Sequence, residues 1–207
     1  MAIETVLFDY SGVLTTGLDM VTEDVPYDPD EVLAEMIAAL ASPEPHPWHE
    51  LERGEITLDA YNSYVETKAP GASALFAVES EINVMANLTL LDDRVAVASE
   101  LKGQGLRVGL VTNNVAEWEP FWQPRLPAGL FEIVIDSARV GCRKPEPAIY
   151  RLAMTQLGIA DPATVLFIDD FEWNVTGATA VGMAGLHCTA DLDLGAAVQE
   201  LICSSSV

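Results

Sequence analysis

The residues of this chain that could carry out chemistry lie in four short polar segments. Three of the segments directly follow apolar runs, and the other opens a helical pattern. The segments are Asp9, Thr112-Asn113-Asn114, Arg143-Lys144-Pro145-Glu146-Pro147, and Asp169-Asp170 with Asn174 four residues beyond Asp170. Each segment alone has a structural explanation, because acidic, hydroxyl and amide side chains commonly close turns and cap helices. Their order and placement together are more specific and indicate one shared functional site.

Several common binding motifs are missing from the sequence. None of the three lysines follows a glycine, which excludes a P-loop. Gly103-Gln104-Gly105 precedes an apolar run, so we interpret it as a turn and not as a dinucleotide-binding fingerprint. His49-Glu50 resembles the start of a zinc-protease motif, but position 53 is Arg53. Because a zinc site needs three or four ligands at a fitting spacing, a structural role is favoured for His49.

Apolar runs that alternate with helical patterns predict the elements that position the four segments. The runs are Ile3–Phe8, Leu106–Val111, Phe131–Ile135, Val165–Ile168 and Gly185–Cys188, and the helical patterns are Asp92–Lys102, Pro147–Leu157 and Glu172–Val181. This alternation predicts an α/β fold with a doubly wound parallel sheet. In such sheets ligands bind at the carboxyl ends of the strands, so we expect the polar segments to converge there.

The stretch from about Thr15 to Leu90 interrupts this alternation. It contains helical patterns near Pro29–Ala41, Pro47–Leu51 and Thr57–Lys68, with Gly54 as a helix stop and Thr57 as a helix cap. We interpret the stretch as a helical cap inserted after the first strand and able to cover the strand ends. The predicted division is a core of residues 1–14 and 91–207 and a cap of residues 15–90.

The composition narrows the classes of partner. Half of the residues are apolar, which is enough to bury a core, and 32 acidic against 10 basic residues give a formal net charge of −22. Such a charge disfavours nucleic acid and anionic membranes as partners. The apolar runs are also far shorter than the roughly 20 residues of a membrane span. The oligomeric state stays open.

The cysteines and the first residues indicate the compartment. The cysteines are Cys142, Cys188 and Cys203, an odd number without CxxC spacing, so we expect free thiols in a reducing cytosol. The first segment carries Glu4 and Asp9 and no basic residue, which is not typical of a signal peptide. The sequence therefore predicts a cytoplasmic protein.

From Ile3 to about Leu186 the chain resembles the haloacid dehalogenase-like hydrolase superfamily, with the helical insertion in the family's cap position. Within it, the chain resembles the branch of sugar-phosphate phosphatases and the phosphatase domain of soluble epoxide hydrolase. The stretch from Val140 to Tyr150 is similar to that branch's lysine motif. Glu52-Arg53-Gly54-Glu55-Ile56-Thr57 resembles a cap segment of the same branch.

The resemblance implies a phosphatase of a small phosphorylated metabolite. Asp9 would be the nucleophile, forming an aspartyl-phosphate that water then hydrolyses. Mg²⁺, which prefers hard oxygen ligands, would be held by Asp9, the backbone carbonyl of Ser11 and Asp170. The resemblance further implies that Asp169 and Asn174 orient this shell, and that the phosphoryl group is bound by Thr112, Asn113 and Lys144.

One residue departs from the family pattern. The family's phosphatases usually carry Asp-x-Asp, whose second aspartate is the general acid and base, but this chain has Ser11 there. A serine cannot exchange a proton near neutral pH as a carboxylate does. This departure puts protonation of the leaving group in question, and it keeps open the alternative of a weakly active member that binds a phosphorylated ligand.

A 2-haloacid dehalogenase is the other alternative. The stretch Glu172–Ala178 is similar to a segment of those enzymes, which use no metal and need an arginine early in the cap. Here no Lys or Arg occurs between Asp9 and Arg53. Asp169-Asp170 also places two carboxylates together, which is costly without a cation. These features favour the phosphatase over the dehalogenase.

Overall fold

The computed structural model of the chain describes residues 2–17, 38–39, 42, 44–75 and 88–204. These residues contain a five-stranded, all-parallel sheet in the order β3-β2-β1-β4-β5. Its strands are β1 (Thr5–Phe8), β2 (Arg107–Thr112), β3 (Ile133–Asp136), β4 (Val165–Asp169) and β5 (Ala184–His187). The order reverses at β1, so the predicted doubly wound sheet is confirmed, with β1 at its centre.

Helices join the strands and cover the sheet. They are α1 (Pro47–Glu52), α2 (Leu58–Lys68), α3 (Asp92–Gly103), α4 (Glu119–Trp122), α5 (Ser137–Val140), α6 (Pro147–Leu157), α7 (Glu172–Ala180) and α8 (Leu194–Ser204). Three of them match helical patterns between predicted strands, with ends that differ by at most one residue. The short helices α4 and α5 were not predicted, because four residues are too few to show a helical period.

Successive residues of the central strands pack on opposite faces of the sheet. Val6 and Phe8 of β1 join one apolar cluster, whereas Leu7 joins the other. The first cluster includes residues of α3 and α8, and the second includes residues of α6 and α7. Because both faces are covered, the strands consist of nearly continuous apolar residues, which is the pattern that predicted them.

The inserted stretch leaves the sheet beside the point where it returns. Thr15 and Leu90 form an isolated antiparallel bridge, and the amide of Leu91 donates to the carbonyl of Leu14 at 2.9 Å. The predicted cap helices near Pro47 and Thr57 are present as α1 and α2, and the hydroxyl of Thr57 accepts from the amide of Ala60. The predicted helix at 29–41 lies outside the described residues, except for residues 38 and 39.

Helices α1 and α2 pack onto the core. Trp48, Leu51, Leu58 and Tyr61 belong to the same apolar cluster as Phe8 of β1. Within the described ranges, no helix is both long and apolar enough to cross a membrane. Through these contacts, α1 and α2 pack on the same side of the sheet as Phe8, the residue before Asp9.

Candidate active site

The carboxyl ends of the two central strands bring the predicted acidic residues together. Phe8 of β1 pairs with Ile168 of β4; Asp9 directly follows Phe8 after the end of β1, and Asp169 is the last residue of β4. Asp170 follows directly. One carboxylate oxygen from each of the three aspartates lies within 4.8 Å of the others. The parallel register thus converts two distant segments of the sequence into one acidic cluster.

Lys144 contributes the positive charge in this cluster. Its Nζ lies 2.6 Å from Oδ1 of Asp9 and donates a hydrogen bond of 2.7 Å to Oδ2 of Asp169. The Lys144 side chain is 1% exposed, and Asp9 and Asp169 are also buried. The lysine reaches the site from the loop before α6, so three separate segments of the chain meet at one point.

Asp169 is fixed by further hydrogen bonds. Its Oδ1 accepts from the backbone amide of Phe171 and from Nδ2 of Asn174, both at 2.9 Å. Asn174 lies in α7, and its carbonyl accepts a 2.7 Å hydrogen bond from the hydroxyl of Tyr150 in α6. Both oxygens of Asp169 are therefore engaged, one by Lys144 and one by the start of α7, which suits a residue that orients others.

Asp170 has a different environment. Its Oδ1 is buried and has no hydrogen-bond partner among the described residues. Gly12, which has a φ of 75°, lies directly against this carboxylate, and a Cβ at position 12 would overlap the Asp170 side chain. A glycine here allows both the left-handed turn and the close approach of Asp170. An unpaired buried carboxylate oxygen is costly unless a cation or a donor meets it.

The electrostatics of the cluster indicate that it would accept a cation. Burial raises the pKa of Asp9 well above its usual range, and Asp169 and Asp170 add to this while Lys144 opposes it. Burial, followed by the charge of Asp169, raises the pKa of Asp170 to about 7. When ionised, three carboxylates and one ammonium leave two negative charges. The oxygen donors and this net charge fit one hard divalent cation.

The remaining predicted residues lie at the same edge of the sheet. Thr112 is buried at the end of β2, and its hydroxyl donates to the carbonyl of Asn113 at 3.3 Å. The Asn113 side chain is engaged with Lys144, since its Oδ1 accepts from the Lys144 amide at 2.8 Å and its Nδ2 donates to the Lys144 carbonyl at 3.0 Å. Ser11 lies in the turn after β1.

A buried ion pair lies beside the cluster, and no motif in the sequence pairs its two residues. Glu52 at the end of α1 accepts a 2.5 Å hydrogen bond from Nε of Arg143, and both side chains are 4% exposed. Glu52 and Arg143 each stand in a segment whose resemblance was noted, but 91 positions separate them. Nothing in the sequence alone shows that the two segments meet.

Comparisons with known proteins agree on a family. A family model described as a hydrolase, haloacid dehalogenase-like hydrolase, matches residues 3–182. The sesquiterpene phosphatase astK of Aspergillus oryzae is 28% identical over 200 residues, covering 95% of each chain. The bifunctional epoxide hydrolase 2 of Rattus norvegicus is 30% identical over 224 residues, which cover 97% of this chain and 38% of that longer protein.

Solved structures agree on the fold. A HAD family enzyme of Bacteroides thetaiotaomicron, bt-2542, solved as an Asp-to-Ala mutant in complex with magnesium and inorganic phosphate, has a TM-score of 0.66. The alignment covers 95% of this chain and 98% of that one at 20% identity, a likeness that establishes the fold alone.

Proposed function

This chain is an enzyme of the haloacid dehalogenase-like hydrolase family, and from that membership we propose that it is a magnesium-dependent phosphatase of a small phosphorylated metabolite. The observation that carries the proposal is the contact of Lys144 with both Asp9 and Asp169 inside a cluster of three carboxylates. With Asp9 as the nucleophile, this contact would supply a neighbouring cation that can receive phosphoryl oxygens. The relatives named as phosphatases support the same reaction class.

In the proposed reaction a carboxylate oxygen of Asp9 attacks phosphorus. A bond forms between that oxygen and phosphorus, and the bond between phosphorus and the leaving oxygen breaks. Water then attacks the aspartyl-phosphate, so that phosphate leaves and the Asp9 carboxylate is restored. Lys144 would bind the phosphoryl oxygens, together with Thr112 and the backbone of Asn113. Asp169, held by Asn174, would keep Lys144 in place.

Magnesium fits the donors that the chain offers. Asp9, Asp170 and the backbone carbonyl of Ser11 would hold the ion, and Oδ1 of Asp170 is a buried oxygen that has no hydrogen-bond partner among the described residues. When bound, the ion would supply positive charge that offsets the repulsion between Asp9 and the phosphate. Water is a poor source of this compensation because the site is buried.

We further propose that residues 15–90 form a cap domain on a core of residues 1–14 and 91–207. The Thr15–Leu90 bridge, where the two crossings meet, supports this boundary. The cap would determine which phosphorylated metabolite is accepted and would exclude water during transfer. A cytoplasmic location stays a prediction; all three cysteines are free thiols in the structure.

The test is a screen of phosphate esters with the purified protein, with Mg²⁺ and after thorough chelation. We expect phosphate release that requires the metal. Activity that is unchanged by chelation, together with halide release from a 2-haloacid, would establish the dehalogenase alternative. Binding of a phosphate ester without its hydrolysis would establish the other alternative, a weakly active member that binds a phosphorylated ligand. Ser11, in place of the usual aspartate, keeps that alternative open.

A further inference from the structure

The backbone of Lys144 is held at two points by one side chain. Asn113 accepts from the Lys144 amide at 2.8 Å and donates to the Lys144 carbonyl at 3.0 Å. These two contacts fix the peptide groups on both sides of the Lys144 Cα. Because a side chain can only point where its Cα–Cβ bond directs it, Asn113 determines where the lysine begins its path to Asp9.

The carboxylate of Glu52, in the inserted segment, contacts both Asn113 and Arg143. Oε2 of Glu52 lies 3.5 Å from Nδ2 of Asn113 and 2.5 Å from Nε of Arg143. Arg143 is the residue directly before Lys144. One oxygen of Glu52 therefore contacts both the Asn113 side chain, which holds the Lys144 backbone, and the Arg143 side chain.

The burial of this pair is informative. Glu52 and Arg143 are each 4% exposed, so both charges have lost most of their hydration. The loss of hydration offsets much of the attraction in a buried ion pair. Well-packed apolar side chains would often hold two segments together just as strongly. What an ion pair adds is direction, since the guanidinium and the carboxylate must meet in a defined orientation.

We propose that Glu52 is a positioning residue, which acts through Arg143 and Asn113 to set Nζ of Lys144 between Asp9 and Asp169. The proposal rests on the role that the proposed function gives to Lys144. It follows that the lysine is fully ordered only while α1 is seated against the core. Seating of the inserted segment and completion of the charged cluster are then one event.

A simpler explanation is that the ion pair only docks the inserted segment. The same interface offers a contact that separates the two explanations. The Leu58 amide at the start of α2 donates a 3.0 Å hydrogen bond to Oε1 of Glu117, which lies in the turn after β2. Glu117→Ala removes this docking contact and keeps the partners of the Asn113–Lys144 and Glu52–Arg143 hydrogen bonds, so it is the matched control.

The experiment reads Lys144 directly. The chain has only three lysines, Lys68, Lys102 and Lys144, so a ¹H–¹⁵N spectrum of lysine ammonium groups is simple, and Lys144→Arg assigns the signal. In the parent, buried Lys144 should give a slowly exchanging signal. In Glu52→Ala we expect that signal to shift or broaden beyond detection, whereas Glu117→Ala should keep it. An unchanged Lys144 signal in Glu52→Ala would overturn the proposal.

Kinetics give a second measurement on an active ester. Since misplacing a catalytic group by about 1 Å can cost about 10²-fold, we expect Glu52→Ala to lower kcat by at least about 10-fold with KM changed less than about 3-fold. Glu52→Gln, which keeps the length and one acceptor oxygen, should recover part of the loss. Equal losses in Glu52→Ala and Glu117→Ala would show that Glu52 only docks the segment.

Two further points keep the test decisive. If Glu52→Ala does not fold, Glu52→Gln keeps the test, because it removes the charge that meets Arg143; its Lys144 signal should shift from that of the parent, and an unchanged signal would overturn the proposal. The spectrum requires no turnover. A parent that hydrolyses no phosphate ester would refute the proposed function, while the positioning of Lys144 by Glu52 would still be decided by the spectrum.

Discussion

Nζ of Lys144 and Oδ1 of Asp9 lie 2.6 Å apart in a buried contact, which joins the nucleophile of the proposed reaction to its main cation. Burial, with smaller contributions from Asp169 and Asp170, raises the pKa of Asp9, and Lys144 is the neighbour that opposes this rise. The contact therefore favours the ionised form that can attack phosphorus. In the proposed reaction, the same ammonium would receive the incoming phosphoryl oxygens.

Asp9→Asn should abolish turnover and leave the fold intact. The amide is nearly the same size as the carboxyl but is not an anionic nucleophile, so we expect a loss of at least about 10³-fold in kcat. Phosphate release measures the effect, and circular dichroism checks the fold. Asp59→Asn, at an exposed position of α2, is the control and should keep full activity. Residual activity within a few-fold of the parent would refute the role of Asp9.

Gly12→Ala should weaken metal binding. The new methyl group would overlap the Asp170 carboxylate, and position 12 also has a left-handed φ of 75°. We expect a loss of about 10–100-fold in Mg²⁺ affinity, the usual size of effects from misplaced ligands. Titration of Mg²⁺ by calorimetry measures it.

The control for this variant is Gly129→Ala. Gly129 has nearly the same φ, 71°, but its Cβ would meet nothing within 4 Å. The strain in the backbone is therefore shared, and only the displacement of Asp170 differs. If both variants bind Mg²⁺ equally well, Asp170 is not a ligand whose position matters.

The buried carboxyl of Asp136 should make the free energy of unfolding depend on pH. Burial raises its pKa to about 6, and its Oδ2 is buried without a partner among the described residues. An unfolded Asp has a pKa of about 3.9, so the folded state binds the proton more tightly. The contribution of Asp136 to the free energy of unfolding therefore falls as the pH rises from about 4 to about 6, and stays constant above.

Asp136→Asn should remove this decrease in the free energy of unfolding with rising pH. The variant should have a free energy of unfolding about 1–3 kcal/mol above the parent at pH 7, and little different from it below pH 4, as measured by urea denaturation. Oδ1 of Asp136 accepts from the Ala138 amide at 3.0 Å, and Oδ1 of Asp161 accepts in the same way from the Ala163 amide at 3.0 Å, but at an exposed position. Asp161→Asn should give no such gain at pH 7. A gain for Asp136→Asn of equal size at both pH values would contradict the burial argument.

Ser11→Asp should speed the hydrolysis of alkyl phosphates by at least about 10-fold, because it restores a group that can protonate the leaving oxygen. In the parent, esters with low-pKa leaving groups should react best, and a plot of log rate against leaving-group pKa should fall steeply. The variant should flatten this plot. The comparison has to span pH with the metal saturating, since an added carboxylate near the phosphate would have a raised pKa.

Ser11→Asn is the matched control for that variant, because it has the shape of aspartate without an exchangeable acid. It should bring no gain. If Ser11→Asp is no faster on any ester at any pH, then Ser11 does not mark a missing acid and base, and the proton is handled by another group or by the substrate.

The sequence by itself determined the sheet and its polar edge. Buried parallel strands have to be apolar on both faces, so each strand is visible as a short run, and its last residue marks the polar edge. Asp9, Thr112 and the pair Asp169-Asp170 were placed at strand ends in this way, and the structure has them there. These features depend on neighbours within a few residues, which a sequence pattern can show.

Only the tertiary structure decided which partners these residues have. Lys144 contacts Asp9 and Asp169, and the side chain of Asn113 hydrogen-bonds to the Lys144 backbone. Glu52, in the inserted segment, contacts Arg143. Each of these contacts joins segments that are far apart in the chain. Their geometry depends on the order of the strands and on how α1 packs against the core, and neither leaves a local pattern in the sequence.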